Sequence, residues 1–164
     1  MKSLLKARSM VALGLLALAG LAAADEDIIP LKDVPRAVLD AVKAKFPGVE
    51  LTGASKETED GRTTFEIVLK EKGRNVDVAL TAAGKILEIE TEVSPKDLPR
   101  AVASAIATKY PKVTIKKAEE IVEFEEGEEE KSFEVLLDTG AKKTLEVKLS
   151  PAGKILNTED DDED

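Results

Sequence analysis

Between positions 34 and 46 the apolar residues recur at helical spacing. Val34, Val38, Ala41, Val42 and Phe46 fall three and four residues apart, which makes one stripe on one side of a helix. Pro35 sits in the first turn, where a missing N–H costs nothing, and Asp33 just ahead suits the positive end of the helix dipole. Pro47 ends the helix and Gly48 lets the chain turn away. The period then drops to two. Val49 and Leu51 alternate with polar neighbours, as do Phe65, Ile67 and Leu69, then Val76, Val78 and Leu80, then Leu87, Ile89 and Val93. Gly61, Gly73 and Gly84 fall between these runs. Alternation broken by glycine predicts short antiparallel strands joined by hairpins.

The pattern then starts again. Lys32-Asp33-Val34-Pro35-Arg36-Ala37-Val38 returns as Lys96-Asp97-Leu98-Pro99-Arg100-Ala101-Val102. Lys45-Phe46-Pro47 returns as Lys109-Tyr110-Pro111, Phe65-Glu66-Ile67-Val68-Leu69 as Phe133-Glu134-Val135-Leu136-Leu137, and Ala83-Gly84-Lys85-Ile86-Leu87 as Ala152-Gly153-Lys154-Ile155-Leu156. The second alternating series is Val113 and Ile115, then Phe133, Val135 and Leu137, then Leu145, Val147 and Leu149, then Leu156. The duplication predicts an α+β fold of two tandem repeats. Each repeat would be one helix followed by an antiparallel sheet of about four strands, the helix packed on one sheet face and the other face left in water. The repeats run over 25–93 and 94–157, and the acidic residues 158–164 are expected to be a disordered tail.

The first 24 residues read differently. Lys2, Lys6 and Arg8 precede an apolar run from Met10 to Leu21, and Ala22-Ala23-Ala24 fits a small-residue cleavage site. This is a secretory signal peptide with expected cleavage after Ala24; the run is short for the roughly 20 residues a spanning helix needs. The expected location is periplasmic or secreted, with no stable membrane insertion after cleavage. Removing the leader's three cations takes the formal charge from −9 to −12.

Composition narrows the chemistry. The chain has no His and no Cys, which removes imidazole triads, thiolate zinc sites, cysteine nucleophiles and disulfides. Its acidity makes nucleic acid a poor partner. No Ser lies in Gly-x-Ser-x-Gly, and no glycine-rich phosphate loop occurs. No cofactor, no dedicated metal site and no enzymatic activity are expected.

The Pro35-Arg36-Ala37-Val38 start, the Phe46-Pro47-Gly48 end, Phe65-Glu66-Ile67 and Gly84-Lys85-Ile86-Leu87, with their second-copy counterparts, resemble the PepSY-like family, in particular tandem domains of the β-lactamase-inhibitor-like type. The resemblance covers about Ile28 to Asn157. It implies secreted or periplasmic proteins, an association with peptidase inhibition or regulation, and an open concave sheet face that grips a target. With one Tyr, no Trp and no Cys, this chain lacks the aromatic-rich, disulfide-bonded face of the known inhibitors, so β-lactamase inhibition itself is not carried over.

Strand parity assigns the wet face. Glu66, Val68, Lys70, Asp77, Ala79, Glu88, Glu90 and Glu92 fall on it in the first copy, and Glu134, Leu136, Asp138, Glu146 and Lys148 in the second. Of these, Glu66, Val68, Lys70, Asp77, Glu88, Glu90, Glu134, Leu136, Glu146 and Lys148 are the candidate partner-binding residues, and the expected partner is a protein with a basic surface. One alternative is weak Ca²⁺ binding by Glu119, Glu120, Glu123, Glu125, Glu126, Glu128, Glu129 and Glu130, placed around a hairpin tip, together with the tail from Glu159. A remote alternative is an aspartic peptidase, since Asp138-Thr139-Gly140 resembles that active-site loop. That chemistry needs a second aspartate, the repeat aligns the segment with Lys70 to Gly73, and the strand-turn-strand setting already explains a Thr-Gly there.

Overall fold

In the computed structural model of the chain, which describes residues 27–59, 61–140 and 143–162, both helices form where the stripes lie. Helix α1 spans Arg36–Lys45 and α2 spans Arg100–Lys109. A 3-10 turn precedes each, Leu31–Asp33 and Pro95–Asp97, and Pro35 or Pro99 leads in. The aromatic residue that closes each helix donates its N–H four residues back, Phe46 to Val42 and Tyr110 to Ile106, both at 2.8 Å. The next residue is proline, which cannot continue that ladder. The turn beyond needs a left-handed residue, Gly48 in the first case and Lys112 in the second. The signal peptide expected over 1–24 lies outside the described residues.

The strands are β1 (Asp27–Ile28), β2 (Glu50–Glu59), β3 (Arg62–Glu71), β4 (Arg74–Thr81), β5 (Ile86–Glu92), β6 (Thr114–Glu125), β7 (Glu128–Gly140), β8 (Lys143–Leu149) and β9 (Ile155–Asp162). They form one nine-stranded sheet in chain order, antiparallel at every pairing. This corrects the expected fold. The chain does not build two helix-plus-sheet units; it builds a single sheet with two helices on it. The join is β5 with β6, where Glu88, Ile89, Glu90, Thr91 and Glu92 pair with Glu123, Val122, Ile121, Glu120 and Glu119. Two separate sheets would have left these edges with unpaired backbone N–H and C=O groups, and joining satisfies both rows at once. Hydrophobic period cannot show this, because it records which face a residue takes and not which edge its strand meets.

The apolar core lies under the helices in two clusters. Val38 and Val42 pack with Phe65, Ile67, Leu69, Val76, Val78, Leu80 and Ile89. Val102 and Ile106 pack with Phe133, Val135, Leu137, Val147 and Leu149. Val93, which parity puts at the end of the first copy, packs on the second cluster, and its N–H reaches Ala118 O at 2.9 Å. Ile29 does the same for the first cluster, reaching Ala54 O at 3.0 Å. The last stretch of β5 therefore meets β6 as the short β1 meets β2.

The twice-occurring Gly-Lys-Ile-Leu segment has a packing reason. Gly84 (φ +81°) and Gly153 (φ +80°) each press their turn against the first turn of a helix. A Cβ on Gly84 would stand 2.5 Å from Ala37 O, and one on Gly153 would collide with Ala101 O. Beyond each turn a β-bulge shifts parity by one. Ile86 and Ile155 therefore pack on the clusters, while Leu156, expected to point inward, is 45% exposed.

The acidic end is a second correction. It was expected to be disordered from Thr158, yet Thr158 to Asp162 continue β9, with Asp162, Asp161, Asp160 and Glu159 opposite Lys143, Thr144, Leu145 and Glu146. Backbone pairing with β8 orders a segment that has no apolar residue of its own.

Candidate functional site: the acidic sheet face

Directly paired residues of an antiparallel sheet share a face. The register therefore shows where each candidate stands. Glu66 lies opposite Ala79, Val68 opposite Asp77, and Lys70 opposite Asn75. Asp77 lies opposite Glu90 and Ala79 opposite Glu88. On the far side Glu134 faces Lys148, and Leu136 faces Glu146. None of these belongs to the clusters beneath the helices, so all stand on the other side of the sheet, and neither helix covers them.

The join brings in residues that sequence reading did not assign to this face. Glu88 faces Glu123, Glu90 faces Ile121, and Glu92 faces Glu119. Glu119 in turn faces Glu134, Ile121 faces Ser132, and Lys117 faces Leu136. The carboxylates of β3, β4 and β5 thus run without interruption into those of β6, β7 and β8. A signal for this was present. Ala118 repeats Ala54, both are core residues, and counting parity from Ala118 puts Lys117, Glu119, Ile121 and Glu123 on the acidic side. The run of glutamates, read by charge alone, predicts a hairpin tip instead. The turn itself is only Glu126-Gly127; Glu119, Glu120 and Glu123 lie well inside β6, and Glu120 bonds Lys131 at 2.9 Å.

The face is not wet at its centre, which is a third correction. Glu90 and Glu119 are 5% exposed, Glu66 6%, Asp77 and Glu134 9%. Ile121 is fully buried among them. Neighbouring strands lie only about 5 Å apart, so long side chains in adjacent rows sheathe one another, and bulges after Leu51 and Ile115 bend the strands that carry them. Lys70, at the margin, remains exposed.

Burial and crowding set the protonation. Burial, with Glu119 and Glu92 nearby and against the pull of Lys117, raises Asp77 to about 6. Burial raises Glu88 to about 7, opposed by its hydrogen bond with Glu90 and reinforced by the charge of Glu123. Burial, the hydrogen bond with Glu88, and the charges of Glu88, Glu119 and Asp77 push Glu90 up to about 9. Burial, then Glu146, Glu90 and Glu119, raise Glu134 to about 8. At neutral pH Glu90 and Glu134 therefore hold protons, and the face is less negative than its formula.

Two lysines sit within the carboxylates. Lys117 Nζ lies 2.8 Å from Glu119 Oε1, and Lys148 Nζ 3.1 Å from Glu123 Oε1. Burial alone would lower the pKa of Lys117, but its hydrogen bond with Glu119 and the surrounding charge outweigh that and raise it. Asn75 Nδ2 donates to Glu92 Oε2 at 2.6 Å. The Oε2 atom of Glu90 is shut off from solvent and has no hydrogen-bond partner among the described residues. Asp77, Glu90 and Glu119 bring carboxylate oxygens within 4.8 Å of one another, the arrangement in the face most suited to an ion.

Asp138-Thr139-Gly140 is the end of strand β7, where a bulge between Asp138 and Gly140 shifts the pairing with β8. Gly140 N–H donates to Asp138 Oδ1 at 2.8 Å, and Thr139 Oγ1 donates to Lys143 O at 3.0 Å. The residues opposite Asp138 are Thr114 and Thr144, so the second carboxylate of an aspartic peptidase does not stand there.

Comparison with known proteins agrees with this architecture. The model of a family described as "Putative beta-lactamase-inhibitor-like, PepSY-like" matches residues 23–88 and 63–157, and the chain belongs to that family. A BLIP-like protein from Bacteroides fragilis is similar in structure at TM-score 0.62 and 23% identity, over 77% of this chain and 85% of that one. A protein from Bacteroides eggerthii titled a putative periplasmic protein is similar at 0.63 and 15%, over 77% and 88%. A DUF2874 family protein from Bacteroides uniformis is similar at 0.65 and 14%, again over 77% and 88%. At these identities the likeness shows a shared fold. No curated protein is a significant match.

Proposed function

We propose that this PepSY-like protein is a periplasmic, non-enzymatic binding module that takes a basic surface of a partner protein onto its acidic sheet face. One observation carries the reading: the β5–β6 join brings carboxylates from both halves of the chain onto one side of the sheet, the side that neither helix covers, with Glu88, Glu92 and Glu123 at its accessible part. Lys117 and Lys148 already sit among these carboxylates, and a partner's Lys or Arg would meet the same acceptor oxygens. The half-buried Glu88, Glu92 and Glu123 are the groups such a side chain can reach without unpacking the centre. Periplasmic placement is supported by the leader-like pattern of the first residues and by the similar protein of that description. Inhibition of a peptidase or lactamase is a narrower role within the same reading.

A lysine-rich model peptide tests it by fluorescence anisotropy at low and high salt. Binding at low salt that weakens as salt rises, and that the combined Glu88→Gln, Glu92→Gln and Glu123→Gln variant loses, is the expected result. Binding that survives that variant and disappears on neutralising Glu159 and Asp160 would move the surface to the sheet edge.

A further inference from the structure

We propose that Asp77, Glu90 and Glu119 form a divalent-cation site in the centre of the acidic face, suited to Ca²⁺. The three side chains come from adjacent strands, β4, β5 and β6. Asp77 and Glu90 are direct partners, and Glu119 lies diagonally from Glu90, beside Glu92. Two oxygens on one Ca²⁺, each at roughly 2.4 Å, lie at most about 4.8 Å apart. The three carboxylates supply oxygens within that span of one another. The smaller Mg²⁺ needs them closer and in near-ideal octahedral order.

A second observation points to a ligand. Glu90 is 95% buried by the complement of its 5% exposure, and its Oε2 has no hydrogen-bond partner among the described residues. An isolated buried carboxylate oxygen is costly unless a cation or a donor meets it. Of the other carboxylates on β5, Glu92 accepts from Asn75 and Glu88 is hydrogen-bonded to Glu90, so both are left out of the set. Charge also balances. Glu90 gives its proton to solvent as the ion binds, and the three carboxylates so ionised are offset by one divalent ion together with Lys117, whose ammonium stays on Glu119 at the rim. The strands are fixed by backbone pairing on both sides, so the donors are held before the ion arrives. This inference goes beyond the proposed binding role and does not require a partner protein.

The test is calorimetric titration of the chelator-treated protein with CaCl₂ alone. One saturable site is expected, with a dissociation constant of about 10⁻⁴ to 10⁻³ M, the range of extracellular Ca²⁺ modules. Glu90→Gln and Asp77→Asn should each weaken binding at least about tenfold, while neutralising Glu125, Glu126 and Glu128 at the hairpin tip should change it little. Circular dichroism and the metal-free melting temperature show that each variant is folded; if Glu90→Gln does not fold, Asp77→Asn decides alone. Absence of saturable heat at millimolar Ca²⁺ would overturn the proposal. So would a site unchanged in both variants but lost with the hairpin glutamates. Because the titrant is the metal alone, its failure leaves peptide binding standing, and loss of peptide binding leaves the cation site standing.

Discussion

Glu90 and Ile121 lie directly opposite each other across the join of β5 and β6, both buried, on the face of the sheet that carries most of its carboxylates. A fully buried isoleucine at that place gives the acidic face an apolar floor where the two halves meet. It belongs to neither of the clusters beneath the helices.

Ile121→Ala should therefore act at the join. Truncation of a fully buried isoleucine costs about 3 kcal/mol, and the loss should appear as faster amide exchange in Glu88–Glu92 and Glu119–Glu123 before it appears in β3. Uniform acceleration across the sheet would show that Ile121 is an ordinary core position.

The buried carboxylates make stability fall as pH rises. Glu134 binds its proton more tightly folded than unfolded, with a folded pKa of about 8 against an ordinary value of 4.5. Below about pH 4 both states are protonated and the contribution is complete; it is lost progressively as pH climbs through the folded value. Burial is the first cause of the raised value, Glu146, Glu90 and Glu119 add to it, and Lys148 opposes it. Denaturant melts in chelator should therefore show lower stability at pH 9 than at pH 5. Glu134→Gln should reduce that drop by about 1 kcal/mol or more. An unaltered pH profile in the variant would remove Glu134 as its cause.

Gly84 and Gly127 share a positive φ but not their surroundings. Nothing lies within 4 Å of a Cβ on Gly127, whereas one on Gly84 meets Ala37 O. Gly127→Ala should cost about 1 kcal/mol, the backbone term alone. Gly84→Ala adds displacement of α1 and should cost about twice that or more. Paired thermal melts compare them; equal losses would mean that the turn yields freely.

Asp138 holds the bulged end of β7 through one acceptor oxygen. Asp138→Asn keeps that acceptor and should leave stability within about 0.5 kcal/mol, while Asp138→Ala should lose about 1 kcal/mol. The peptidase reading makes a different prediction: cleavage of a peptide substrate at acid pH that Asp138→Asn abolishes.

Local periodicity carried the elements. The stripe from Val34 to Phe46, the prolines that bound it and the glycines between alternating runs place both helices and most strands, because helix and strand periods and turn dihedrals are local properties. The duplication and the parity of β3, β4, β7 and β8 were readable for the same reason. β6 carries no such mark, because Ala118 is too small to signal a core position against a run of glutamates.

What the chain alone determined is therefore the list of elements, the core stripe and the acidic parity of one face. What only the tertiary structure decided is that β5 and β6 close into one sheet, that the acidic end continues β9 beside β8, and that Asp77, Glu90 and Glu119 meet. The reason is physical. Strand edges are satisfied by whichever backbone they meet, a choice made by the folded whole. A carboxylate's burial and charge depend on neighbours from strands far away in sequence, which no local pattern specifies.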